Sequence, residues 1–353
     1  MIDERKLRDV SGDEVMSYIK DKLEGYLREF HPTWTDISVS NVKDITSGWE
    51  TWLYYFELDY SSEGEVQEKR LVLRVYSENA STKARHEFTT MSRLHEAGYP
   101  VPRVHWVDDR GDLLGRPFII MDFIEGRTME EKFLSDSEED LERALDIMMK
   151  LFVELHSIDA ARLFPEYVGV TTLGYIDGML DWAKRSAEDN GVKLTNPIID
   201  WLEEQKAGVT PMEPSLLHRD FHPMNIMIGA DGSPVVLDWG ATTVGDRRDD
   251  VAWIMVLAST FLEPSLRDII LRGYESESGM ELVDIEFFEV LSILRRLTDV
   301  SVSLKGGAER HGLRDGAEEM MREASGHLYK ILSYLNGLTG IQLPQFEKFL
   351  ENL

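Results

Sequence analysis

A change of hydrophobic period near Gly126 constrains this chain more than any other feature. Before it, three runs alternate or are rich in β-branched and aromatic residues: DISVSNV, TWLYYFELDY and KRLVLRVY. The polar SSEGE between the last two reads as a hairpin connection. STKARHEFTTMSRLHEAG follows as a helix closed by Gly98, and then come two more strand-like runs, RVHWVDD and RPFIIMDF, joined by the turn-rich RGDLLG. Residues 36–123 therefore read as three strands, a helix and two strands, an α+β assembly. A helix is expected ahead of them over residues 11–30, with Ser11 and Glu14 as its capping box and Val15, Ile19, Leu23 and Leu27 along one face. After Gly126 the period becomes helical. Leu141, Leu145, Met148, Phe152 and Leu155 line one side of a long helix, and further helices are expected near 178–189 and 196–207. From Asp249 onward nearly everything reads as helix, interrupted by glycines at 306–307, 312 and 337. The division falls at residues 122–126, giving domains of 1–124 and 125–353.

Between the helical tracts lies LLHRDFHPMNIMIGADGSPVVLDWG, residues 216–240. IMI and PVVLD read as short strands joined by the turn GADGS. Such a hairpin carries Asn225, ahead of the first strand, back toward Asp238, at the end of the second. An amide and a carboxylate placed so offer oxygen ligands of the kind Mg²⁺ prefers. Asp220, upstream on the same loop, is then left to take a proton from a substrate hydroxyl. One carboxylate orienting a nucleophile beside an amide–carboxylate metal pair is the division of labour that phosphoryl transfer needs. The H-x-D-x-H spacing also admits a metallohydrolase, with His218, Asp220 and His222 around zinc or manganese, because alternate residues of a strand share a face. That reading leaves Asn225, Asp238 and the N-terminal strands without a role.

Composition removes other classes. There are no cysteines, hence no disulfide, no Cys-ligated zinc and no thiol nucleophile. The net charge of −27 disfavours nucleic acid as a partner and favours, if anything, a cationic small molecule. Uninterrupted apolar runs fall well short of the roughly 18 to 20 residues of a membrane span, so no membrane partner is expected. The charged start MIDERKLRDV carries no apolar leader segment, and a cytoplasmic location is the simplest expectation.

HRDFHPMN followed by LDWG resembles the paired motifs of the aminoglycoside phosphotransferase and choline kinase family, H-x-D-x-x-x-x-N and D-x-[GD]. The resemblance implies an α+β, protein-kinase-like two-lobed fold, with a five-stranded antiparallel N-terminal lobe and a mostly helical C-terminal lobe. It implies an ATP-dependent kinase acting on a hydroxyl of a small molecule. Asp220 would be the base, and Asn225 and Asp238 the Mg²⁺ ligands. Arg74 of LVLRVY would contact phosphate, held by Glu87 of ARHEF. Ser47 and Gly48 of ITSGWETW would present backbone N–H groups to phosphate, although a single glycine stands where protein kinases carry three. Backbone groups near Asp122 and Ile124 would take the adenine. Asp246 and Asp250 of VGDRRDDVAW would serve as caps or loop ties, and Arg247–Arg248 departs from the small residues usual there. A kinase-like regulatory protein that binds nucleotide without turnover is the alternative within the same fold.

Overall fold

The computed structural model describes residues 12–48, 50–133, 137–306, 319, 321–322 and 325–352. The chain divides after Glu125 into two compact units. In the first, helix α1 (Gly12–Phe30) buries Ile19, Leu23 and Leu27, as their spacing requires. Ser11 of the expected capping box lies outside the described residues.

Strands β1 (Thr35–Asp44), β2 (Trp52–Ser62), β3 (Glu65–Val75), β4 (Val104–Asp108) and β5 (Phe118–Asp122) form one antiparallel sheet in the order β1-β2-β3-β5-β4. The β2–β3 turn is Glu63-Gly64, both at positive φ, the primed geometry that matches strand twist. Along β2 burial alternates, with Tyr54, Phe56, Leu58 and Tyr60 inward. The second half of β3 is buried without alternation. Leu71, Leu73 and Val75 join the core that holds Ile19, Leu23 and Leu27. Arg74 therefore points to the opposite face. There helix α2 (Ser81–Glu96) presents the buried Glu87. Gly98, at φ +86, follows the C-cap of α2 as its sequence position suggested.

The second unit is largely helical. Its short helices α3 (Glu130–Phe133) and α5 (Ala160–Leu163) flank α4 (Glu138–Ser157), which starts where the Ser137 hydroxyl accepts the Asp140 N–H. Helix α6 (Thr172–Asp189) begins earlier than its apolar spacing indicated, because Thr171 caps it by accepting the Gly174 N–H. α7 (Asn196–Gln205), α8 (Arg247–Phe261), α9 (Leu266–Ser278), α10 (Ile285–Gly306), α11 (Gly326–Thr339) and α12 (Pro344–Glu351) follow. Gly337 does not interrupt α11; that helix ends at Gly340, where the backbone needs φ +75. Helix α8 is buried nearly all round, charged first turn included, as befits a central helix. Three short strands, β6 (Gly126–Thr128), β8 (Ile226–Gly229) and β9 (Pro234–Val236), pair in that order, and β7 (Ser215–Leu217) pairs with β10 (Thr243–Gly245). No helix of the described residues is long and apolar enough to cross a membrane.

Candidate active site

The chain leaves β7 into the loop 218–225 and returns as the β8–β9 hairpin. Two backbone N–H groups at the start of that loop, those of His218 and Arg219, donate to the two carboxylate oxygens of Asp250 at 2.7 and 2.6 Å. Arg219 takes φ +68, a conformation that costs a residue with a Cβ and persists only when its surroundings enforce it. Asp250 grips its N–H, and Arg295 of α10 grips its carbonyl through Nη2 at 2.8 Å. The peptide groups on both sides of Arg219 are thus fixed, and Asp220 is presented next.

Asp220 keeps 41% of its side chain exposed. Its Oδ1 accepts the indole N–H of Trp253 at 3.0 Å. Its Oδ2 lies 3.4 Å from Asn225 Nδ2 and 3.5 Å from His222 Nε2. The Asn225 amide also donates to the Asp220 carbonyl at 2.9 Å, which turns its own Oδ1 away from the aspartate. Burial pushes the Asp220 carboxyl up, but His222, the Trp253 indole and Arg295 together outweigh it and hold the group well below the usual carboxylate range. His222 moves the other way: burial lowers it, and contact with Asp220 and the field of Asp238 raise it overall.

The Leu237 N–H donates to the Asn225 carbonyl at 2.8 Å, so the hairpin delivers Asp238 one residue further on, at φ +64. Aspartate tolerates that backbone better than most residues do. Asn225 and Asp238 thus lie on joined ends of one hairpin and offer an amide and a carboxylate oxygen. Both are hard oxygens, the ligand type that Mg²⁺ takes.

His218 is buried, and both of its ring nitrogens are engaged. Nε2 meets the Leu237 carbonyl at 2.8 Å, while Nδ1 accepts the Asp220 N–H at 3.2 Å. Burial keeps the ring neutral, consistent with one donor and one acceptor nitrogen. The H-x-D-x-H metal triplet is therefore not assembled, and the described residues contain no cluster of three His, Cys, Asp or Glu arranged for a metal.

The segment after β10 is a structural tie. Asp246 caps α8 by accepting the Arg248 N–H at 3.1 Å, and it also accepts the Thr172 hydroxyl at 2.8 Å. Arg248, unexplained by sequence, is buried; it stacks on Phe288 and donates to Asp246, Val283 O and Thr210 O. Asp249 accepts the hydroxyls of Tyr175 and Ser292. Asp250, besides holding the loop, meets His156 Nε2 at 3.3 Å.

In the first unit, Arg74 Nη1 lies 3.3 Å from Glu87 Oε1, both side chains buried, and the Tyr76 hydroxyl donates to Glu87 Oε2 at 2.6 Å. Ser47 and Gly48 sit exposed in the β1–β2 loop, with Gly48 at φ +80. The Asp122 N–H donates to Arg103 O and its carboxylate meets His105 Nε2 at 2.6 Å, while Ile124 is half-buried just beyond β5. Sequence reasoning missed Trp253 and Arg295. The visible signals were a tryptophan in the apolar run of α8 and the adjacent arginines of ILRRL within the apolar stretch of α10.

The sequence profile of the phosphotransferase enzyme family, which includes the aminoglycoside phosphotransferases, matches residues 41–284. The chain belongs to that family. Its fold agrees: a Ralstonia eutropha JMP134 protein named as an aminoglycoside phosphotransferase superposes with a TM-score of 0.63 at 17% identity, covering 90% of this chain and 98% of that one. A thermostable mutant of aminoglycoside phosphotransferase APH(4)-Ia, in ternary complex with ADP and hygromycin B, superposes at 0.57 with 18% identity, covering 88% and 97%. The α+β, protein-kinase-like fold implied by the paired motifs is therefore the fold of this chain. Mouse acyl-CoA dehydrogenase family member 10 is 26% identical over 76% of this chain and 25% of its own length. Human acyl-CoA dehydrogenase family member 11 is 23% identical over 61% and 27%. The chain spans about a quarter of the length of these relatives.

Proposed function

We propose that this kinase-like phosphotransferase moves the γ-phosphoryl group of ATP to a hydroxyl of a small molecule. The observation that supports this best is the hairpin that sets Asn225 against Asp220 and brings Asp238 to the adjoining strand end. In the proposed reaction Asp220 orients the acceptor hydroxyl and takes its proton as the oxygen–phosphorus bond forms. The bond from the γ-phosphorus to its bridging oxygen breaks, and ADP leaves with that oxygen. The proton then passes from Asp220 to solvent. In phosphoryl transfer the protein acts mainly by positioning, so the main contribution of Asp220 would be aiming the hydroxyl. Asn225 and Asp238 would hold Mg²⁺, which would draw charge from the phosphate oxygens. Arg74, braced by Glu87, would contact phosphate; backbone groups around Ser47 and Gly48 would support it, and those near Asp122 and Ile124 would take the base.

The acceptor class is open to a direct screen. Hydroxyl metabolites and aminoglycosides are offered with Mg·ATP, and ADP release is followed by single-turnover transfer of labelled γ-phosphate. Asp220→Asn should bind Mg·ATP as wild type does and lose about 10²-fold or more in transfer, the range for a positioned base. Transfer unchanged by Asp220→Asn removes Asp220 from the chemistry. Nucleotide binding with no transfer to any acceptor favours a regulatory nucleotide-binding protein instead.

A further inference from the structure

Trp253 is almost fully buried on α8. A buried indole N–H must find an acceptor, and backbone carbonyls are the common choice. Trp239, on the same hairpin as Asp238, does this by donating to Val236 O at 2.9 Å. Trp253 instead donates to Asp220 Oδ1 at 3.0 Å. On its ring face lies the guanidinium of Arg295, 4.7 Å from the centroid. The same guanidinium donates to the Arg219 carbonyl at 2.8 Å, one peptide before Asp220. A cation over the indole draws electron density from the ring and makes the N–H a stronger donor. Arg295 thus acts on Asp220 twice, through the backbone and through Trp253.

With Oδ1 occupied, the carboxylate cannot rotate without giving up a charge-assisted bond. Oδ2 is left on the side of Asn225 Nδ2 and His222 Nε2. Resting on the phosphotransfer reading above, we propose that Trp253 and Arg295 are positioning residues that fix the Asp220 carboxylate so that Oδ2 alone meets the acceptor hydroxyl. Neither side chain is assigned any contact with substrate.

Trp253→Phe keeps most of the ring volume and removes only the donor. A hydrogen bond to a charged group is worth enough that its loss should lower kcat roughly 10-fold or more. The KM values for Mg·ATP and for the acceptor should stay within about 2-fold, because the lost contact orients the reacting group rather than binding ligand. The measurement uses the acceptor found in the screen and also water, read as slow Mg·ATP hydrolysis. In an Asp220→Asn background the same substitution should change kcat by less than about 2-fold, since there is no longer a base to aim. A tryptophan that only fills space would lower kcat by the same factor in both backgrounds. Arg295→Gln should reproduce the kcat loss, and Arg295→Lys, which keeps a cation, should recover part of it. Because Arg295 is half-buried, this pair carries the test if Trp253→Phe does not fold.

Equal losses in the two Asp220 backgrounds, or a folded Trp253→Phe protein with kcat within about 2-fold of wild type, would overturn the proposal while leaving the phosphotransfer reading standing. A wild-type protein that neither transfers phosphate nor hydrolyses Mg·ATP overturns that reading first, and this one with it.

Discussion

Asp250 shows how much a loop of this kind depends on a residue that does no chemistry. Its carboxylate accepts the buried N–H of His218 and the part-buried N–H of Arg219, and it meets the buried His156. Burial alone would raise its carboxyl; His156, His218 and the backbone donors hold it low instead. Asp250→Ala would leave one buried N–H group, one part-buried N–H group and a buried imidazole without their acceptor. The expected cost is about 3–5 kcal/mol, the range for breaking one side of a buried charged network. A fall in urea midpoint at unchanged m-value checks it; a loss below about 1 kcal/mol would mean that the loop finds other acceptors. The loop and hairpin that carry Asp220, Asn225 and Asp238 could be read from sequence, because two short apolar runs around the turn GADGS mark them. The expected tie at Asp250 was readable as an aspartate at a helix start. Trp253 and Arg295 were not, because their roles depend on which face of α8 and α10 turns toward the loop. A helix buried on most of its faces gives no such direction in its sequence.

Elements with a single buried face were legible, and elements buried on both faces were less so. The alternation of β2 and the repeat of α1 located themselves, whereas α8, buried all round, showed little beyond its start. The start of α6 was misplaced because its first turn lies ahead of the apolar spacing and is marked only by the Thr171 cap. The first unit carries a feature that no periodicity reveals. After α1, His31 stacks on Trp34 at 3.8 Å between ring centroids, and Trp34 stacks on Tyr60 at 3.7 Å. The Trp106 indole of β4 donates to His31 Nε2 at 3.0 Å, which requires that nitrogen to be unprotonated. Burial lowers the His31 pKa. A histidine whose folded-state pKa lies below its unfolded one takes up protons preferentially in the unfolded state. Stability from this contact is therefore complete above the unfolded value near 6.5 and is lost as pH falls from there through the folded value. Thermal melts between about pH 7.5 and 5 should show this loss, and His31→Gln should have a shallower slope. An unchanged slope would place the pH dependence elsewhere, His156 being the next candidate because burial lowers it too.

At the scale of the whole molecule, charge is the dominant property. Sixty-five acidic and 38 basic side chains give a field of net −27, yet the proposed donor substrate, Mg·ATP, is itself an anion. The local groups proposed to receive it, Arg74 and a metal that Asn225 and Asp238 would hold, would act at contact range; the net charge acts over a Debye length. That length is about 30 Å at 0.01 M salt and about 8 Å at 0.15 M, so added salt removes the long-range part and leaves the contacts. The association rate constant of Mg·ATP, measured by stopped flow, should therefore rise with salt across that range, while the dissociation rate constant changes little. A cationic acceptor should show the opposite dependence: its kcat/KM should fall, because the field that repels nucleotide gathers cations. A neutral hydroxyl compound should be indifferent, and an anionic one should follow the nucleotide. The salt dependence of kcat/KM for each acceptor that passes the screen thus reports whether the acidic surface is part of substrate selection or serves solubility alone. An association rate for Mg·ATP that falls with salt would show that a positive local field at the nucleotide site outweighs the net charge there, and would leave the acceptor series alone to decide the role of the acidic surface.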